Sequence, residues 1–218
     1  VNPEMTERTR LLVEEYQEEP ERVTMARTFA AAIADAVKLT PGMKCLEFGC
    51  GRGNLALLLP DGLQITAIDP APEVIAALER KLTGFHVTSI TPQVDDIMTV
   101  TIDSPCDLIY STLALHHIQD IDAVLRKCHA ALKPSGTLIL VDLDREDGTF
   151  HDDHTGIYHF GFDREWLRRR LEDNGFVVSS CREVYRREKV RADGIKKIYP
   201  LFMAVAAKRA SSTAIPTH

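Results

Sequence analysis

From Met43 to Leu143 the chain alternates two kinds of segment, and that alternation leaves it few folds. "MKCLEF", "QITAID", "FHVTSI", "CDLIYST" and "TLILVDL" are short apolar runs of strand length. Between them, "PEVIAALERKL" sets Val74, Ile75, Leu78 and Leu82 on one helical face, and "IDAVLRKCHAAL" does the same with Ile121, Val124, Leu125, Cys128 and Leu132. A continuous apolar strand is one buried on both faces, and parallel neighbours need a crossover of helix length. The order predicts an α/β domain, a mostly parallel sheet covered by helices on both sides.

Upstream, "ERVTMARTFAAAIADAVKL" places Val23, Ala26, Ala30, Ile33, Ala34 and Val37 at helical spacing, and Thr40-Pro41-Gly42 stops it. A short helix is expected from Asn54 to Leu59. After the fifth strand, residues 145–162 show no periodicity; Asp163 then caps a helix through Asp173, which Asn174-Gly175 ends. "FVVSSCREVYR" and "LFMAVAAK" follow that single helix, so the last strand is expected to run antiparallel. The expected organisation is a helical lid over residues 1–40, one domain over 41–210 and a disordered tail over 211–218.

At 218 residues the chain has room for one sizeable core. No apolar run approaches the roughly 20 residues of a membrane helix, and the charged first 40 residues lack the pattern of a secretory signal. A soluble, cytoplasmic protein is expected. The net charge of -6 gives nucleic acid little to grip. The five cysteines are odd in number and form no C-x-x-C, which predicts reduced, packed thiols rather than disulfides or a zinc knuckle.

Chemistry concentrates in "LEFGCGRGN", residues 46–54, at the carboxyl end of the first strand, where open α/β sheets bind ligands. Gly49, Gly51 and Gly53 let the backbone turn sharply and come close to a ligand. Sixteen residues on, Asp69 ends the second strand, where an acid can accept both hydroxyls of a ribose. The third glycine comes one place too early for the dinucleotide pattern G-x-G-x-x-G, which weakens a pyrophosphate reading.

With Glu47 completing Glu47-x-Gly49-x-Gly51-x-Gly53, the chain resembles the class I S-adenosylmethionine-dependent methyltransferases. "LHHIQD" and "LKPSG" are similar to further family signatures, with Ser135 in place of a glycine. It looks closest to small-molecule enzymes related to the quinone-biosynthesis methyltransferases. The resemblance implies a Rossmann-like fold with a seven-stranded sheet, S-adenosylmethionine as donor and a small-molecule acceptor taken by a monomer or homodimer. It also implies that Glu47, Gly49, Cys50, Gly51, Gly53 and Pro70 bind the donor, Glu47 orienting the loop and the methionine amino group and Gly49 and Gly51 passing under the amino acid part. Asp69 would hold the ribose, Asp96 and Ile97 would flank the adenine, and Leu113 would follow the fourth strand beneath the donor.

Acceptor-side candidates are His116, His151, His154 and Tyr158, with Tyr16 and Arg22 in the lid. His151 or His154 could take a proton from a hydroxyl or amine acceptor. "HDDH" at 151–154 invites a metal reading, but no helix sets its histidines on one face, so no metal is expected there. Tyr185-x-x-x-Lys189 matches the pair of short-chain dehydrogenases only by letter. Two other functions stay open, a non-catalytic S-adenosylmethionine-binding subunit and a nucleotide-dependent oxidoreductase.

Overall fold

The computed structural model describes residues 7–191 and 194–209. Residues 211–218, assigned above to a tail, lie outside them. The strands are β1 (Lys44–Phe48), β2 (Gln64–Asp69), β3 (Ile90–Val94), β4 (Cys106–Thr112), β5 (Leu132–Leu143), β6 (Phe176–Val190) and β7 (Lys196–Lys208). They form one seven-stranded sheet in the order β3-β2-β1-β4-β5-β7-β6. β1 to β5 pair in parallel, and β7 is antiparallel to both of its neighbours. The order reverses between β1 and β4, which opens a crevice at those strand tips.

The helices are α1 (Glu7–Glu14), α2 (Pro20–Ala36), α3 (Asn54–Leu58), α4 (Pro72–Gly84), α5 (Ile121–Ala131) and α6 (Arg164–Asp173). Side chains of a strand alternate between faces, so each strand feeds two cores. Leu108 and Tyr110 of β4 enter a core with Leu12, Phe29 and Ile33 of α1 and α2 and Leu78 of α4. Ile109, between them, enters the opposite core with Leu125 and Cys128 of α5 and Leu167 of α6. Burying each such side chain contributes about 1.5–3 kcal/mol, so a one-residue slip of β4 would invert both cores.

Asp120 and Asp163 cap α5 and α6 by accepting from the amides of Ala123 and Trp166. The third strand falls elsewhere than expected. α4 runs on to Gly84, His86 turns with a left-handed φ of 53°, and the strand begins only at Ile90. β3 is a sheet edge with Pro92 inside it and Val94 exposed, so it needs no apolar run. α2 stops at Ala36, short of Thr40-Pro41-Gly42, and Ala34 is exposed while Met25, Phe29 and Ala32 are buried. Ser135 adopts φ 62°, a left-handed conformation natural to the glycine it replaces, inside a bulge between Cys106↔Leu132 and Leu108↔Thr137.

Candidate active site

The glycine loop joins β1 to α3. All three glycines are left-handed, at φ 64°, 51° and 71°, but they serve different neighbours. A Cβ on Gly49 would lie 2.3 Å from the Ala114 Cβ, and one on Gly53 would lie 2.3 Å from Leu78 Cδ1. A Cβ on Gly51 would meet nothing within 4 Å. Two glycines therefore make room for protein, and Gly51 alone leaves its backbone open.

A cleft of about 760 Å³ lies over the tips of β1, β2 and β4. Glu47, Gly49, Cys50, Gly51, Asp69 and Pro70 line it, as do Asp96, Ile97 and Leu113. Gly53 is buried beneath and does not. The Asp69 carboxylate accepts from the amide of Gly51 at 2.9 Å and from that of Ala71, just before α4, at 3.0 Å. It braces the loop and the turn that leads into α4 at once. Asp96 likewise accepts from the Met98 amide at 2.7 Å. Leu113 has φ 54°, a strained conformation for a leucine at the point where β4 leaves the sheet.

Glu47 is buried at 1% exposure, and its one side-chain partner is the Tyr110 hydroxyl, which donates at 3.2 Å. Burial pushes its carboxyl up to about 8; Tyr110 opposes the shift and the nearby Asp69 charge adds to it. Burial also raises the Cys50 thiol, which makes it inert packing rather than a nucleophile. All five cysteines are free.

The connection between α1 and α2 closes one side of the cleft. There Glu18, 4% exposed, receives Arg52 Nε at 2.5 Å and Lys81 Nζ at 2.7 Å on one oxygen and Asn54 Nδ2 at 3.0 Å on the other. Lys81, fully buried, also donates to the Arg52 carbonyl at 2.8 Å and to Asn54 Oδ1 at 2.7 Å. Burial would raise the Glu18 carboxyl, but these donors, Lys81 above all, hold it below its ordinary value. The cluster ties the amino-terminal segment, the glycine loop and α4 together. Sequence reasoning missed it because a lysine on an otherwise regular helix gives no sign of being buried.

Arg22 lines the cleft, with its Nε 2.9 Å from Glu19. Tyr16 lies elsewhere, packed 5.2 Å from the Phe85 ring with its hydroxyl over Gly84. His116, His151, His154 and Tyr158 are not among the residues lining the cleft; His117 is. His116 Nδ1 lies 2.7 Å from Asp142, and His151 Nε2 lies 3.1 Å from His116 Nε2. Burial, then the neighbouring histidines, lower His151 to about 4, so it is neutral near pH 7. His154 bonds the Gly148 carbonyl at 2.8 Å, and Tyr158 is 55% exposed. Lys189 donates to the Phe150 carbonyl at 2.7 Å and pairs with Asp152, which gives it a structural use far from any dehydrogenase role.

Residues 19–181 match the family described as methyltransferase domain. The chain belongs to that family. Among curated relatives, a ubiquinone biosynthesis O-methyltransferase of Xanthomonas campestris is 34% identical over 117 residues, 50% of this chain and 47% of that protein. The chain thus matches about half the length of such relatives. Among solved structures, the cyclase SpnF superposes with a TM-score of 0.68 at 18% identity, covering 85% of this chain and 82% of that one. A Haemonchus contortus phosphoethanolamine N-methyltransferase 2, solved with phosphomonomethylethanolamine and S-adenosylhomocysteine, gives 0.64 at 14% identity, covering 82% and 52%. The Rossmann-like methyltransferase fold is common to this chain and both of these solved structures. Among the described residues no helix is long and apolar enough to cross a membrane.

Proposed function

We propose that the chain transfers a methyl group from S-adenosylmethionine to a small-molecule acceptor. The observation that carries this reading is a pair of carboxyl groups at adjacent strand tips, Glu47 and Asp69, beside Gly51, the one glycine of the 49–53 loop whose backbone faces open space. Gly51 leaves the cradle, and Asp69 keeps lone pairs beyond those given to Gly51 and Ala71 for the hydroxyls of a ribose. Glu47, protonated near pH 7, is positioned to become a carboxylate against an ammonium group. The cleft volume falls within the roughly 300–1,000 Å³ of small-molecule sites. The relative's O-methyltransferase name and the S-adenosylhomocysteine in the worm enzyme support the same donor.

When bound, the sulfonium supplies a methyl that is already electrophilic, so the chain's work is positioning and exclusion of water. Residues 7–40 serve as the cover, with Glu18 clasping it to the donor loop and Met25 and Phe29 giving the cleft an apolar wall. Arg22, Arg52 and His117 are the basic groups that line the cleft, and Arg52 is already paired with Glu18.

Calorimetry tests this. S-adenosylhomocysteine should bind in the micromolar range, about -8 kcal/mol, and NADP should give no heat. Asp69→Ala should weaken binding at least tenfold, the loss of a charge-assisted bond of about 1.5–3 kcal/mol. Because an ammonium favours ionised Glu47, affinity should rise with pH up to about 8 and then level, and Glu47→Gln should remove the slope. Tight NADP binding without a response to S-adenosylhomocysteine would sink the reading. Binding with no methyl passed from labelled donor to any fraction of a cell extract would leave the non-catalytic subunit instead.

A further inference from the structure

The three imidazoles of His116, His117 and His151 converge where the tip of β4 meets the long loop after β5. One ring nitrogen from each lies within 4.8 Å of those of the other two. Their tautomers follow from their partners. His116 Nδ1 faces the Asp142 carboxylate at 2.7 Å, and His117 Nδ1 faces the Gly156 carbonyl at 3.0 Å. Both partners can only accept, so in the neutral rings the proton sits on Nδ1 and Nε2 is a bare lone pair. Nε2 of His151 lies 3.1 Å from that of His116 and donates its proton to it, a proton that would move to His151 Nδ1 when a cation takes its place. A carboxylate on one Nδ1 and a backbone carbonyl on another is the outer shell that orients histidines toward a metal.

We infer that His116, His117 and His151 form a binding site for a divalent ion of the zinc class, set in the wall of the cleft. Three points no more than 4.8 Å apart share a centre within about 2.8 Å of each, against about 2.0–2.1 Å for a zinc–nitrogen bond. Small side-chain rotations close that gap. An all-imidazole set suits zinc, copper, nickel or cobalt and disfavours magnesium or calcium. Three protein ligands leave one coordination position for water or a substrate atom. His117, one of the ligands, lines the cleft, so under the proposed function the ion borders the acceptor's space. The ion also pins the loop that carries His151 to the sheet. "HDDH" contributes one ligand only, because among the described residues the ring nitrogens that converge are those of His116, His117 and His151, and His154 is not with them.

The test uses untagged protein, stripped of metal and titrated with Zn²⁺ and Co²⁺ without donor or acceptor. One ion per chain should bind, Co²⁺ should give the visible bands of a low-coordinate nitrogen site, and saturating Zn²⁺ should raise Tm by about 5–10 °C. His117→Ala, an exposed position that the fold tolerates, should weaken Zn²⁺ at least tenfold, as should His151→Gln, while His154→Ala leaves it unchanged. No bound ion, or equal affinity in the His117 and His151 variants, overturns the site. Undiminished S-adenosylhomocysteine binding in a protein that takes no Zn²⁺ sinks this inference alone. Zn²⁺ binding without S-adenosylhomocysteine binding sinks the methyl-transfer reading alone.

Discussion

The glycine loop, residues 49–53, and the loop after β5, residues 144–163, are both irregular, yet they are held in opposite ways. The first is fixed by left-handed glycines and the adjoining tip of β2, with the Cys50 amide on the Ile68 carbonyl at 3.0 Å, the Gly51 amide on the Asp69 carboxylate at 2.9 Å and the Gly53 amide on the Cys50 carbonyl at 2.9 Å. The second is hung from distant side chains. Lys189 holds the Phe150 carbonyl, Tyr199 donates to the Thr149 carbonyl at 2.7 Å, and Lys197 pairs with Asp147. Local residue types thus set the shape of the proposed donor wall, whereas the other loop takes its shape from partners that the chain brings back much later. Function should divide along that line, with donor affinity on one side and acceptor chemistry on the other.

The largest effect should come from the clasp on the donor side. Glu18→Ala leaves Lys81 as a buried charge without its carboxylate, which costs about 3–5 kcal/mol. Chemical denaturation should show that loss, and Lys81→Met added to it should recover part. A loss under about 1 kcal/mol would mean the ion pair contributes little beyond what exposed pairs do.

A smaller effect separates two glycines of one loop. Alanine at either Gly49 or Gly51 pays about 1–2 kcal/mol for its left-handed backbone. Only at Gly49 does the new methyl also collide with Ala114, adding about 1–3 kcal/mol of overpacking. Thermal melts should therefore rank Gly49→Ala well below Gly51→Ala, and Gly51→Ala should lose S-adenosylhomocysteine affinity while staying folded. Equal melting points would erase the distinction between glycines that serve protein and the one that serves ligand.

The smallest effect should come from the other loop. His154→Ala removes one neutral hydrogen bond, about 0.5–1.5 kcal/mol, and should leave S-adenosylhomocysteine affinity within a factor of two. If calorimetry shows that affinity collapsing, the two regions are not separable.

The same contrast explains what could be read in the sequence. Strands buried on both faces, the cap at Asp163 and the stop at Asn174-Gly175 announce themselves within a few residues. Glu47, Gly51 and Asp69 come to one cleft because a parallel sheet carries strand tips to one edge. β3 was misplaced because an edge strand buries too little to need an apolar run. Glu18 with Lys81, and His116 with Asp142 and His151, are pairings across 26 to 63 residues whose partners no local pattern names. The sequence singled out His116 but not His117, since two adjacent histidines differ only in the direction the 3-10 turn at Leu115–His117 gives each ring.

The place of β7 in the sheet bears on how the protein is made. The free edge of β5, Thr137–Leu143, is covered by Leu201–Ala207 of β7, and β6 reaches the sheet only through β7. On a ribosome adding about 5–20 residues per second, that apolar edge waits about 3–12 s for the strand that closes it. An uncovered strand edge recruits other chains. Slow translation across residues 144–200 should therefore favour aggregates, which a chaperone that shields strand edges would suppress.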